Sequence, residues 1–128
     1  MNTTLSPLSQ VNFNEIKRVI FISSIAGSMV TSSINLHVEP ISFEDLKKII
    51  NLAKERGITI QNFVGHPTTV SLLNQMLSLN LQANRGEYQI NHEDLLVMIS
   101  LKQRPKVSGQ EVNASTIEDL LIRVVIIS

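Results

Sequence analysis

The sequence contains no cysteine, which excludes disulfide frameworks and thiolate metal sites. It has no excess of either charge: eleven Lys and Arg residues balance eleven Asp and Glu. A broad duplex-DNA surface needs a basic surplus, so no duplex DNA partner is expected. A small phosphorylated ligand held by a few arginines stays compatible with that balance. No apolar run is long enough to cross a bilayer. Residues 19–30 follow Lys17-Arg18 as a secretory leader would, but Glu15 stands in the same flank and serines interrupt the run. The run therefore reads as a buried strand and turn, and the protein as soluble with no membrane partner. A glycine-rich phosphate loop is also missing. The three histidines, His37, His66 and His92, show no ligand spacing, so no metal is expected. His37 and His92 read as solvated surface residues.

What is present describes one small globular domain of 128 residues, 43% apolar and only 17% charged. Residues 1–16 are polar and aperiodic and read as an N-terminal arm ahead of a domain spanning residues 17–128. The β-branched and aromatic run at residues 19–22 suits a strand buried on both faces. Residues 23–33 form a serine-rich loop around Gly27, and residues 34–38 alternate at strand period. Ser42, with Asp45 three positions on, opens a helix whose apolar face is Leu46, Ile49, Ile50 and Ala53; Gly57 stops it. Strands are expected at residues 58–64, 81–90, 95–101 and 123–127, with a short helix at residues 116–121 capped by Ser115 and Glu118. Acids at Glu93 and Asp94 fall in a polar turn, where solvation explains them. Strands and helices mixed along one chain without a repeat predict an α/β (α+β) fold, a mixed β-sheet flanked by helices.

The stretch from Val64 to Leu77 organises the rest. A strand runs into Gly65 and His66, then Pro67 starts a helix marked by Val70, Leu73, Met76 and Leu77. Proline suits the first helical position, which makes His66 the N-cap residue. The positive end of the helix dipole and its first-turn donors favour an anion there, with Thr68, Thr69 and an imidazole alongside. The alternative is a histidine that only caps the helix. Two arginines stand out further on: Arg85 after an asparagine in the strand expected at residues 81–90, and Arg104 just past the strand at residues 95–101. Taken alone, each favours a surface salt bridge or a solubility role over phosphate recognition.

The order Gly65-His66-x-x-Thr69, then Leu72-Leu73-Asn74-Gln75-Met76-Leu77, then Asn84-Arg85, then an apolar strand into Gln103-Arg104 resembles the viral anti-CRISPR ring nucleases. Those small proteins, many from viruses of archaea, degrade cyclic tetra-adenylate, the second messenger of type III CRISPR defence. The similarity spans about residues 17–128 and is densest from Val64 to Arg104. It implies a homodimer in the host cytoplasm that binds the ring across its two-fold axis. It also implies a reaction without metal or other cofactor, in which the ribose 2′-hydroxyl attacks the adjacent phosphate. His66 matches the family's general acid toward the leaving 5′-oxygen, with Arg104 beside it in catalysis. Arg85 and Gln103 match residues that hold the ring and its phosphates, with Gly65, Thr68 and Thr69 at the helix start. Ser23 and Ser28 stand where the family's first strand leads into ligand-touching residues. The chain departs from the pattern at Val107, where the family commonly carries a glutamate. It departs again in the loop after the first strand, which has no asparagine. A protein that only sequesters the ring, or another viral interaction module, is the alternative reading. The helix expected from Pro67 to a frayed end near Asn80 carries apolar residues beyond one face, Leu72 and Leu79 among them, which suggests surface buried between subunits.

Overall fold

In the computed structural model, which describes residues 11–101 and 120–128, the apolar run after Lys17 forms strand β1, Arg18–Ile22. A 3-10 turn, Gly27–Met29, follows, then β2, Leu36–Pro40. Helix α1, Phe43–Arg56, starts where the Ser42 hydroxyl accepts the Asp45 N–H at 3.1 Å. Glu44 and Asp45 in its first turn and Lys54 and Arg56 in its last complement the helix dipole. Gly57 ends it at φ 67°, the left-handed conformation that glycine adopts without a Cβ penalty. Strand β3, Thr59–Asn62, helix α2, Pro67–Leu77, and strands β4, Asp94–Leu101, and β5, Leu120–Ile127, complete the fold.

The five strands form one mixed sheet in the order β2-β5-β4-β1-β3. β1 pairs in parallel with both β3 and β4, while β5 runs antiparallel to β4 and β2. This is the α+β mixed sheet that the sequence pattern predicts. Alternation along the strands divides the core in two. Val19 and Phe21 of β1 with Leu95 and Val97 of β4 face α1 and α2, so both helices lie on one side. Ile20, Ile22, Leu96 and Val125 face the other side, which is covered by irregular chain carrying Ile25, Met29, Tyr88 and Ile90. Val11, Phe13 and Ile16 pack half-buried against the helix-side core. No helix among the described residues is long and apolar enough to cross a membrane.

Three expectations need correction. Residues 81–90 form no strand. Leu79 and Leu81 pack on the helix side of the sheet and Tyr88 and Ile90 on the opposite side. The chain therefore wraps around the β3 edge, which a regular strand on one side of that edge would not do. The expected helix at residues 116–121 does not extend to its end, because Leu120 and Leu121 already belong to β5; residues 116–119 lie outside the described part. α2 stops at Leu77 rather than running on to Asn80, with Ser78 in the left-handed conformation at φ 53°. Asn74 enforces that exit: its side chain donates to the Leu81 carbonyl at 2.9 Å and accepts the Leu81 N–H at 2.7 Å. The Lys54 ammonium donates to the Leu77 and Ser78 carbonyls, both at 3.2 Å, at the negative end of α2. Leu72 is buried in the chain's own core and Leu79 packs against it. The apolar excess of α2 is thus used within the chain itself, and Met76 is its exposed large hydrophobic residue.

Candidate functional site

The three parallel strands set the site. Because Phe21 registers with Asn62 and Ile22 with Met98, the carboxyl ends of β1, β3 and β4 share one edge of the sheet. In open sheets with parallel strands, ligands settle outside those carboxyl ends. Ser23 leaves β1 there, exposed, and Val64-Gly65-His66 leaves β3. β4 ends there at Leu101; Gln103, Arg104 and Val107, which follow it, lie outside the described residues.

His66 is the N-cap residue of α2 by backbone geometry, at φ −89° and ψ 110°, and its carbonyl accepts the Val70 N–H at 3.1 Å. Its side chain makes no capping hydrogen bond and is exposed. The imidazole therefore does not cap α2. Thr68, half-buried, and Thr69, buried at 5% exposure, occupy the first turn.

Arg85 reaches this edge although it is not on a strand. Its stem crosses Gly65 so closely that a Cβ there would lie 2.6 Å from the Arg85 Cγ and 3.2 Å from its Nε. The residues around it are fixed by a pair of asparagines. The buried Asn62 side chain donates to the carbonyls of Val64, at 3.0 Å, and Gln82, at 2.8 Å, and accepts the Val64 N–H. Asn84 answers from the other segment: its N–H donates to the Val64 carbonyl at 3.0 Å and its side-chain amide to the Asn62 carbonyl at 3.2 Å. Its side-chain oxygen accepts the Gly86 N–H at 2.8 Å.

The structure thus brings together Gly65, His66 and Arg85, with Thr68 and Thr69 on the adjoining turn and Ser23 on the same sheet edge. Ser28 sits apart in the 3-10 turn, whose Met29 carbonyl accepts the Ile90 N–H over the opposite face of the sheet. An open cleft of about 420 Å³ separates the β3 edge from residues 80–84. Amides and apolar groups line it, with no charged side chain to offer a phosphate. Among the described residues no group of His, Asp and Glu could hold a metal ion.

A second polar cluster lies at the opposite end of the same strands. Asp94 is not the solvated turn residue its sequence context suggests: its side chain is 0% exposed. Arg18 holds it with two hydrogen bonds, Nε to Oδ1 at 2.7 Å and Nη2 to Oδ2 at 2.8 Å, and also reaches Gln61 at 3.3 Å. The Tyr88 hydroxyl donates to the same carboxylate. This cluster pins the chain where it returns to β4 from the end of the sheet that carries Gly65 and His66. The hydrogen bond to Asp94 holds the Arg18 pKa above its ordinary value. Burial, then the bond to Asp94, pushes the Tyr88 phenol well above its usual value near 10.

A raised tyrosine pKa stabilises the fold below the unfolded value and is lost as pH rises through the folded one. Stability should therefore fall from about pH 10 upward. Tyr88→Phe should cost about 1–3 kcal/mol at neutral pH and flatten that alkaline decline. Urea midpoints measured across pH 7–11 for both proteins check it; parallel curves would remove Tyr88 from the account.

Asn62 and the Arg18–Asp94–Tyr88 cluster were not singled out from the sequence. The one local signal was an asparagine inside the apolar approach to Gly65.

Comparison with known proteins places the chain. A family model described as STIV B116-like matches residues 23–124. Among solved structures, B116 of Sulfolobus turreted icosahedral virus is similar at 23% identity with a TM-score of 0.61. The alignment covers 85% of this chain and 98% of that one. At that identity the likeness speaks to the fold. No curated protein sequence matches.

Proposed function

The chain belongs to the STIV B116-like family, and we propose that it is a viral ring nuclease that binds cyclic tetra-adenylate and cleaves it to linear di-adenylates. The observation that carries the reading is an exposed imidazole with no capping role, one residue from the glycine over which Arg85 is laid. In the proposed reaction the ribose 2′-hydroxyl passes its proton to solvent as its oxygen bonds to the neighbouring phosphorus and the bond to the 5′-oxygen breaks. His66 gives its proton to that departing oxygen, and each product ends in a 2′,3′-cyclic phosphate. Arg85 and Arg104 offset the charge that gathers on the phosphoryl oxygens, a task for donors fixed before the reaction begins. No metal takes part in this scheme. The setting would be the host cytoplasm, where removing the messenger suppresses type III CRISPR signalling.

A ring of four equal units has two-fold symmetry, so a homodimer would present each of these residues to it twice. Calorimetric titration with cyclic tetra-adenylate should give one ring per two chains, and light scattering a particle of twice 14.3 kDa. A flat titration would remove the reading. A monomer in the presence of the ring would remove the shared two-fold site.

Arg85→Ala and Arg104→Ala should each weaken ring binding by about 1.5–3 kcal/mol, the worth of a charge-assisted hydrogen bond to phosphate. Among the described residues the salt bridges are Lys17–Glu93, Arg18–Asp94 and His37–Glu39, so none engages Arg85. Its loss should therefore leave the melting temperature nearly unchanged. Titrations of the two variants that overlay the wild type would take the arginines out of the site.

A further inference from the structure

We propose that Gly65 is a positioning residue whose role is to let Arg85 lie across the Gly65–His66 turn, and that it acts only through Arg85. The backbone does not demand glycine at this position. Among the described glycines a positive φ occurs at Gly57 and not at Gly65. Space demands it instead. A Cβ on residue 65 would come within 2.6 Å of the Arg85 Cγ and 3.4 Å of its Cδ. The Cγ is near the root of the side chain, not at its flexible end. The main chain that bears it is held on both sides. Asn84 is bonded to the Val64 and Asn62 carbonyls, and the Gly86 N–H to the Asn84 side chain. Arg85 therefore cannot back away without breaking the buried Asn62–Asn84 clasp. It can only swing its stem off residue 65, which carries the guanidinium away from the Gly65–His66 turn.

The consequence rests on the ring-nuclease reading. An arginine already laid in place loses less freedom when it grips phosphate than one that must first be ordered. A methyl group on residue 65 should thus mimic the loss of the guanidinium, without touching the ring itself.

The test is a double-mutant cycle on the full chain: wild type, Gly65→Ala, Arg85→Ala and the pair together. Affinity for cyclic tetra-adenylate and melting temperature are read for all four. Gly65→Ala should weaken ring binding roughly ten- to hundredfold, as Arg85→Ala does, because the same charged hydrogen bond is lost. It should also lower the melting temperature. Added to Arg85→Ala, it should change neither quantity. A Gly65→Ala protein that fails to fold while the double variant folds would show the same coupling. Additive effects on melting would overturn the steric dependence, and unaltered ring affinity in folded Gly65→Ala would overturn the positioning role. If the wild type binds no ring, the ring-nuclease reading falls, and the melting cycle still decides whether Gly65 acts through Arg85.

Discussion

His66→Ala should abolish most cleavage of cyclic tetra-adenylate, by roughly 10²–10⁴-fold in single-turnover rate, while ring binding changes little. Binding in this account rests on arginines and helix-start donors, which the substitution leaves in place. The leaving oxygen needs a proton only as its bond breaks, so the loss falls on the chemical step. The structure makes the result readable. A capping histidine would cost about 1 kcal/mol when removed, but the His66 ring makes no capping bond and is exposed. The melting temperature should therefore hold, with stability within about 0.5 kcal/mol of wild type. A folded His66→Ala protein cleaving at the wild-type rate would end the assignment. His66→Gln, which keeps polarity but carries no titrating proton, should be equally slow.

The largest stability effect is expected at the other end of the sheet. Arg18→Met should lower unfolding free energy by about 3–5 kcal/mol, since it leaves a buried carboxylate without its bidentate partner. The asymmetry of the pair decides which partner matters more. The Asp94 side chain is 0% exposed and the Arg18 side chain 34%. Stranding Asp94 is the worse error, because Arg18 without its partner still reaches water. Asp94→Ala should accordingly cost less than Arg18→Met. Replacing the cluster with apolar groups, Arg18→Met with Asp94→Leu and Tyr88→Phe, should recover much of the loss. Urea unfolding with the m-value compared across variants measures this. An Arg18→Met protein within 1 kcal/mol of wild type would show that the cluster contributes little.

The parts of this fold that could be read from sequence are those whose causes are local. Ser42 with Asp45, Gly57 after α1, and Pro67 after His66 each satisfy or end a helix within a few residues, and the structure shows all three. The failures share a different cause. Residues 81–90 carry apolar side chains that serve two faces of the sheet in turn, so their spacing resembles a strand where the chain is rounding an edge. Asp94 looks like a turn acid because its partner Arg18 is 76 residues away. Asn62 is in the same position, bonded to residues 20 and 22 further on. Of the candidate site, the His66 turn was legible from Gly65 and Pro67. The approach of Arg85 was not legible from spacing, because it depends on the Asn62–Asn84 clasp.

The most direct measurement is incubation of the wild-type chain with radiolabelled cyclic tetra-adenylate in EDTA, with the products separated against time. The account predicts linear di-adenylates ending in a cyclic phosphate, formed at the same rate with and without the chelator. A ring that is bound yet remains intact would contradict it and leave a protein that only sequesters the messenger.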